Sequence, residues 1–198
     1  MSRGLGRVVV ASKNPDKVAE LESLLVRYRL VEEVIRGREW PDVVEDAPTL
    51  TGNALLKARQ VWESTGFPVV ADDTGLEVRA LDGAPGVLTA RYAGPDATYR
   101  SNREALLTAL IGIEDRRACF RTVVVAITAA GQTVLAEGVL EGEITWAARG
   151  SGGFGYDPVF EMQGRTLAEM SPDEKEQISH RARAVAALAD ALRNLPEN

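Results

Sequence analysis

A mixed α/β fold is what this sequence predicts, on three observations. Short apolar strands alternate with amphipathic helices in the first half of the chain. β-branched residues crowd the stretch from Cys119 to Ala148, and the chain closes on helix-forming residues. Early alternation and later hairpins together imply a sheet with both parallel and antiparallel neighbours.

Taken in order, Arg7 to Ser12 (R-V-V-V-A-S) reads as a buried strand. Asn14 can cap a following helix and Pro15 can take its first position. Val18, Leu21, Leu24 and Leu25 recur at helical spacing, which carries that helix to about Arg27. Val31 to Ile35 suggests a second strand, and 37–48 is irregular and acidic. Thr51 to Thr65 predicts a helix closed by Gly66. Pro68 to Ala71 predicts a short strand, Asp72-Asp73-Thr74-Gly75 a turn, and Leu76, Val78 and Ala80 another strand. Gly83-Ala84-Pro85-Gly86 reads as a turn, and Thr98 opens a helix to about Leu110. Strands are then expected at Cys119 to Ala129, Thr133 to Leu140 and Glu143 to Ala148. Ser171-Pro172-Asp173-Glu174 has the form of a capping box, and Ala182 to Leu192 is alanine-rich helix. No repeat or linker interrupts 1–198, so a single domain is expected.

Composition narrows the function. The chain has 198 residues, 45% hydrophobic and 26% charged, as expected of a globular protein. A net charge of -6 argues against a surface that wraps nucleic acid. A single cysteine, Cys119, excludes an internal disulfide; set in an apolar run, it reads as inert core before reactive thiol. No apolar run approaches the roughly 20 residues of a membrane span, and no signal-peptide pattern opens the chain. A cytoplasmic protein without membrane partners is expected. Trp40, Trp62 and Trp146 read as packing residues, and Arg116-Arg117 and Glu32-Glu33 as solvated surface.

Three segments carry candidate chemistry. Gly150 to Pro158 (G-S-G-G-F-G-Y-D-P) opens the backbone to a ligand around Phe154 and Tyr156. Lys175, the single histidine His180, and Arg181 follow as cationic donors, a combination suited to a nucleotide. The corner Ser12, Lys13, Asn14, Pro15, Asp16 and Lys17 either cradles phosphate at a helix N-terminus or caps the helix with its lysines in solvent. It lacks the glycines of a Walker loop. Asp72 and Asp73, after a buried strand, either bind a divalent cation or cap turn N–H groups.

These segments resemble the inosine triphosphatase family, pyrophosphatases of non-canonical purine nucleoside triphosphates. The resemblance runs through Val9 to Lys17 (V-V-A-S-K-N-P-D-K), Thr49 to Ala58 (T-L-T-G-N-A-L-L-K-A) and Ala71 to Gly75 (A-D-D-T-G). It continues through Gly83 to Tyr92 (G-A-P-G-V-L-T-A-R-Y), Gly152 to Phe160 (G-G-F-G-Y-D-P-V-F) and Glu174 to Arg181 (E-K-E-Q-I-S-H-R). Lys13 stands where the family usually has glycine, and Gly52 where it usually has glutamate. The resemblance implies an elongated two-lobed α/β fold around a long mixed sheet, the nucleotide in the cleft between the lobes, and a homodimer. It implies Mg²⁺-dependent cleavage of ITP, dITP and XTP to the monophosphate and pyrophosphate. Ser12, Asn14 and Lys17 would hold the triphosphate and Lys175 would line the site. Asp73 would be both metal ligand and general base, and Thr74 would touch substrate. Glu45 would be the second metal ligand, with Asp46 in reserve. Phe154 would stack on the base, Gly155, Tyr156 and Asp157 would shape its pocket, and His180 and Arg181 would reach the purine edge. Two alternatives are a Maf-type pyrophosphatase, suggested by the opening Ala-Ser-Lys-Asn-Pro, and a nucleotide sensor without hydrolysis.

Overall fold

The computed structural model of the chain describes residues 4–195. Strand β1 (Arg7–Val10) buries Val8, Val9 and Val10. Helix α1 (Pro15–Arg27) starts where the Asn14 side chain accepts from the N–H groups of Asp16 (3.0 Å) and Lys17 (3.4 Å). Its buried residues, Leu21, Leu24 and Leu25, form one apolar stripe. Strand β2 (Glu33–Val34) pairs parallel to β1 and is shorter than expected. Helix α2 (Leu50–Thr65) is capped by the Thr49 hydroxyl, which accepts from Gly52 N at 3.0 Å, and ends at Gly66 in the left-handed region (φ 69°).

The expected turn at Asp72 to Gly75 does not exist. One strand of 10 residues, β3 (Val69–Val78), runs straight through it. Val69 and Val70 pair parallel with β1, and Leu76 and Glu77 pair antiparallel with β4 (Pro85–Gly86). A polar Asp-Asp-Thr-Gly run reads as a turn because buried carboxylates are costly. Here lysine and arginine side chains offset that cost and the ladder continues.

Helix α3 (Tyr99–Ala109) begins with a reciprocal capping box between Thr98 and Ser101. Strands β5 (Arg117–Ile127) and β6 (Thr133–Ile144) are joined by a turn in which Gly131 N donates to Thr128 O. β6 also corrects an expectation, since Thr133 to Leu140 and Glu143 to Ala148 are not separate strands. Gly142 does not break it: a Cβ there would sit 2.6 Å from Phe160 Cζ, so the glycine makes room for that ring. Strands β7 (Phe160–Met162) and β8 (Arg165–Thr166), absent from the sequence reading, form a hairpin about Gln163 and Gly164, both at positive φ. Helices α4 (Pro172–Ile178), with its Ser171–Glu174 capping box, and α5 (His180–Arg193) complete the chain. Strand order is β2-β1-β3-β5-β6-β7-β8, with β4 on β3.

The chain divides into two compact units. The first takes the chain to Asp73, residues 122–138 and the part from Arg181 onward. Its core sets Leu21, Leu24 and Leu25 against Val70, Val124 and Leu188. The second takes 74–121 and 139–180, and its core joins Leu76, Leu106, Leu140, Phe160 and Leu167. No helix of the described residues is long and apolar enough to cross a membrane.

Three expectations of burial are corrected. Arg116 is buried (7% exposed), its guanidinium donating to the carbonyls of Ile144, Leu110 and Thr145, whereas Arg117 is exposed. Trp146, expected to pack inside, is 68% exposed with the Arg116 guanidinium 4.5 Å from its ring centre. Cys119 is half-buried rather than core: its thiol donates to Glu77 Oε2 (3.4 Å), and Arg121 holds the same carboxylate. Burial, with Glu77 next, pushes that thiol up to about 12.

Candidate active site

In the first unit, the corner between β1 and α1 adopts the capping arrangement. Asn14 Oδ1 is committed to the helix N–H groups, and Ser12 Oγ accepts from Asn14 N at 3.2 Å. Lys13 is exposed and paired with Asp42; Pro15 and Asp16 are exposed. Lys17, half-buried, turns inward with Nζ 3.7 Å from Asp72 Oδ2. The corner thus holds a lysine beside the strand that carries the aspartates.

Adjacent strand residues point to opposite faces, so Asp72 and Asp73 meet different partners. Arg181 donates to Asp72 Oδ2 from Nε (3.2 Å) and Nη2 (3.0 Å), and also bonds Glu20. Burial alone would push the Asp72 carboxyl up. Lys17, Arg181 and Lys57 outweigh it and hold the group well below the usual carboxylate range.

On the other face, Lys57 Nζ bridges Asp73 Oδ1 (2.9 Å) and Glu45 Oε2 (2.8 Å). Burial raises the Asp73 carboxyl above its ordinary value, and Lys57 and Lys17 offset only part of that. For Lys57, burial works against the charge, but Asp73, Asp72 and Glu45 together raise its pKa, so it stays an ammonium. The structure brings Glu45, not exposed Asp46, to this centre. Lys57 itself was missed. The available signal was its place one helical turn after Asn53 on the face that also buries Ala54, Ala58 and Val61.

Among the described residues, no three His, Cys, Asp or Glu side chains gather closely enough to hold a metal by themselves. Glu45 and Asp73, joined through one cation, form a two-carboxylate oxygen set. That set fits Mg²⁺, which binds through one or two carboxylates and completes its shell with water and substrate phosphate.

The second unit holds an aromatic cluster around Phe154. Asp157 Oδ2 accepts from Phe154 N and from Lys175 Nζ, both at 2.8 Å. Lys175 Nζ lies 4.7 Å from the centre of the Phe154 ring, and Tyr99 packs against the same ring at 6.0 Å between centroids. Gly153 is required here: its φ is +66° and a Cβ would fall 2.1 Å from Asp157 Oδ2. Arg103 Nη1 donates to Gly155 O (2.7 Å), and buried Tyr156 donates its hydroxyl to Thr89 O (3.0 Å). His180 is buried and stacked on Phe120 at 4.7 Å. Thr74 follows Asp73 on β3, half-buried. Arg103, Tyr99 and Thr89 were not legible as site residues, because each reaches the Phe154–Tyr156 segment from a distant element.

Fold and site define a mixed-sheet α/β protein with an acid–lysine centre and an aromatic cluster beside a glycine-rich turn. The chain belongs to the Ham1 family, which matches it over residues 8–191. It is 50% identical over 191 residues to a protein of Porphyromonas gingivalis named dITP/XTP pyrophosphatase, covering 94% of this chain and 97% of that one. Among solved structures it resembles a HAM1 protein from Coxiella burnetii (TM-score 0.84, 39% identity, 96% of this chain and 99% of that chain). It also resembles the Staphylococcus aureus Ham1 protein (TM-score 0.80, 35% identity, 93% and 96%). The family resemblance read from the motifs is borne out.

Proposed function

We propose that this protein hydrolyses non-canonical purine nucleoside triphosphates, dITP, XTP and ITP, to the monophosphate and pyrophosphate. The observation that carries the reading is the Glu45–Lys57–Asp73 centre, in which one ammonium from α2 joins a half-buried glutamate to a buried aspartate on β3, a strand without a nucleophilic serine or cysteine. Membership of the Ham1 family and the name of the Porphyromonas gingivalis relative support the substrate class.

In this reading Ser12, Asn14 and Lys17, with Lys13 beside them, receive the triphosphate. Lys57 and Lys17 supply fixed positive charge to a group that gains negative charge in the transition state. Glu45 and Asp73 would hold Mg²⁺, which when bound neutralises phosphate charge. Asp73 orients the attacking water and takes its proton. The water oxygen bonds to the α-phosphorus as the bond to pyrophosphate breaks. Phe154 stacks on the base, with Lys175 and Asp157 fixing the ring's surroundings. Thr74 touches substrate, and His180 and Arg181 meet the purine edge. Donors aimed at O6 suit hypoxanthine and xanthine, and the amino group of adenine leaves them unpaired. A homodimer acting in the cytoplasm completes the reading. Exposed Ile111 and Trp146 supply apolar surface of the kind an interface covers, and light scattering tests the dimer.

The test is a panel of nucleoside triphosphates with Mg²⁺, scored for pyrophosphate release. dITP, XTP and ITP are expected to turn over in preference to the four standard deoxynucleotides, and in ¹⁸O-water the label should enter IMP only. Label in pyrophosphate would place attack at another phosphorus. Binding without turnover would leave a sensor, and preference for pyrimidine substrates would restore the Maf-type alternative. Separately, Phe154→Ala should raise KM for ITP by about 5- to 150-fold, since base–aromatic stacking is worth about 1–3 kcal/mol. Its metal requirement should not move, and unaltered KM in the folded variant would remove Phe154 from the base site.

A further inference from the structure

We infer that segment 41–47 positions the Glu45 carboxylate, seated along one face of α2 by Asn53 and by the absence of a side chain at Gly52; the inference rests on the metal role proposed for Glu45. Residues 53, 57 and 60 lie on one face of α2, at helical spacing. They engage the segment in reverse order. Asn53 Oδ1 accepts from Ala47 N at 2.9 Å, Lys57 donates to Glu45 at 2.8 Å, and Gln60 Nε2 donates to the carbonyls of Pro41 and Asp42 at 3.3 Å. The segment therefore runs antiparallel to the helix and is tied to it on either side of Glu45.

Two of these features have no other evident task. Asn53 is 1% exposed, a polar side chain in a buried helix face, and its oxygen is spent on the Ala47 N–H. At Gly52 a Cβ would lie 2.6 Å from Ala47 Cβ and 3.1 Å from Thr49 Oγ1. Two carbons cannot approach so closely, so any side chain at 52 drives Ala47 away from the helix. Glu45 is two residues from Ala47, so a displacement of Ala47 is passed to it along a short tether. Where the family pattern has glutamate, this chain's glycine allows the close approach.

Groups that orient a metal ligand typically change metal affinity about 10–100-fold when removed. Gly52→Ala and Asn53→Ala are each expected to raise the Mg²⁺ concentration for half-maximal dITP hydrolysis about 10-fold. kcat at saturating Mg²⁺ should stay within about twofold. Mn²⁺ binding to the protein without nucleotide, followed by electron paramagnetic resonance, should weaken by a similar factor. Asn53→Asp, which keeps the acceptor for Ala47 N–H, should recover much of the loss. Thermal melts identify any variant that fails to fold, and the milder Gly52→Ala carries the test if Asn53→Ala does. The inference is overturned if both folded variants keep the parent's Mg²⁺ and Mn²⁺ dependence, or lose kcat uniformly with that dependence unchanged, while Glu45→Gln is impaired in metal use. Unchanged metal use in Glu45→Gln itself would instead overturn the metal assignment of Glu45.

Discussion

Asp73→Asn is expected to lower kcat for dITP by about 10²–10⁴-fold, the usual contribution of a general base. The substitution keeps the side chain's size and its acceptor toward Lys57 but removes charge and basicity. Lys57 remains countered by Glu45 at 2.8 Å, so the ammonium is not orphaned and the fold should hold. Burial already disfavours charge at position 73, so stability should be unchanged or slightly improved. Nucleotide binding should outlast turnover, because Phe154 and Lys175 are untouched. Asp72→Asn should do less to the chemical step, since Asp72 faces Arg181 on the opposite side of the strand. Steady-state kinetics with equilibrium binding of dITP separates these effects. A folded Asp73→Asn protein with near-parental kcat at saturating Mg²⁺ would move the base to Asp72 or Glu45.

The largest effect on stability is expected at Arg181. Its side chain is 1% exposed and serves two carboxylates, Asp72 and Glu20. Removing one partner from a buried ion pair costs about 3–5 kcal/mol, because the remaining charge stays buried without compensation. Lys17, at 3.7 Å from Asp72, and Lys57 remain to offset part of that cost. Arg181→Leu should therefore lower Tm by on the order of 10 °C for a chain of this size. Adding Asp72→Asn should recover part of the loss, which a purely packing defect would not allow. Calorimetry of the single and double variants decides it, and a single variant within about 2 °C of the parent would assign Arg181 a surface-like role.

The elements with local signatures were legible in the sequence. Asn14-Pro15, Thr98 and Ser171 each announce a helix start through side-chain chemistry that acts within one turn. Failures came where distant residues decide. Asp72-Asp73-Thr74-Gly75 reads as a turn until Lys57 and Arg181 are known to meet the carboxylates. Gly142 reads as a break until Phe160 is placed over it. Arg116 reads as surface until the carbonyls of Leu110, Ile144 and Thr145 are seen converging on it. The candidate site divides the same way. Motif residues such as Asp73, Phe154 and Lys175 could be named in advance, whereas Lys57, Tyr99 and Arg103 acquire their positions from tertiary contacts.

The Cys119 thiol has a practical use. It is the single cysteine of the chain, and at about 12 its ionisation is suppressed far below that of a free cysteine near 8.5. Alkylating reagents attack the thiolate, so the native protein should label slowly even though the sulfur is only half-buried. When β5 separates from Glu77, the thiol loses the burial and the neighbouring carboxylate that raise it, and the reaction should accelerate. Iodoacetamide uptake thus becomes a clock for strand opening, readable by mass on the unmodified protein, with one site and no engineered label.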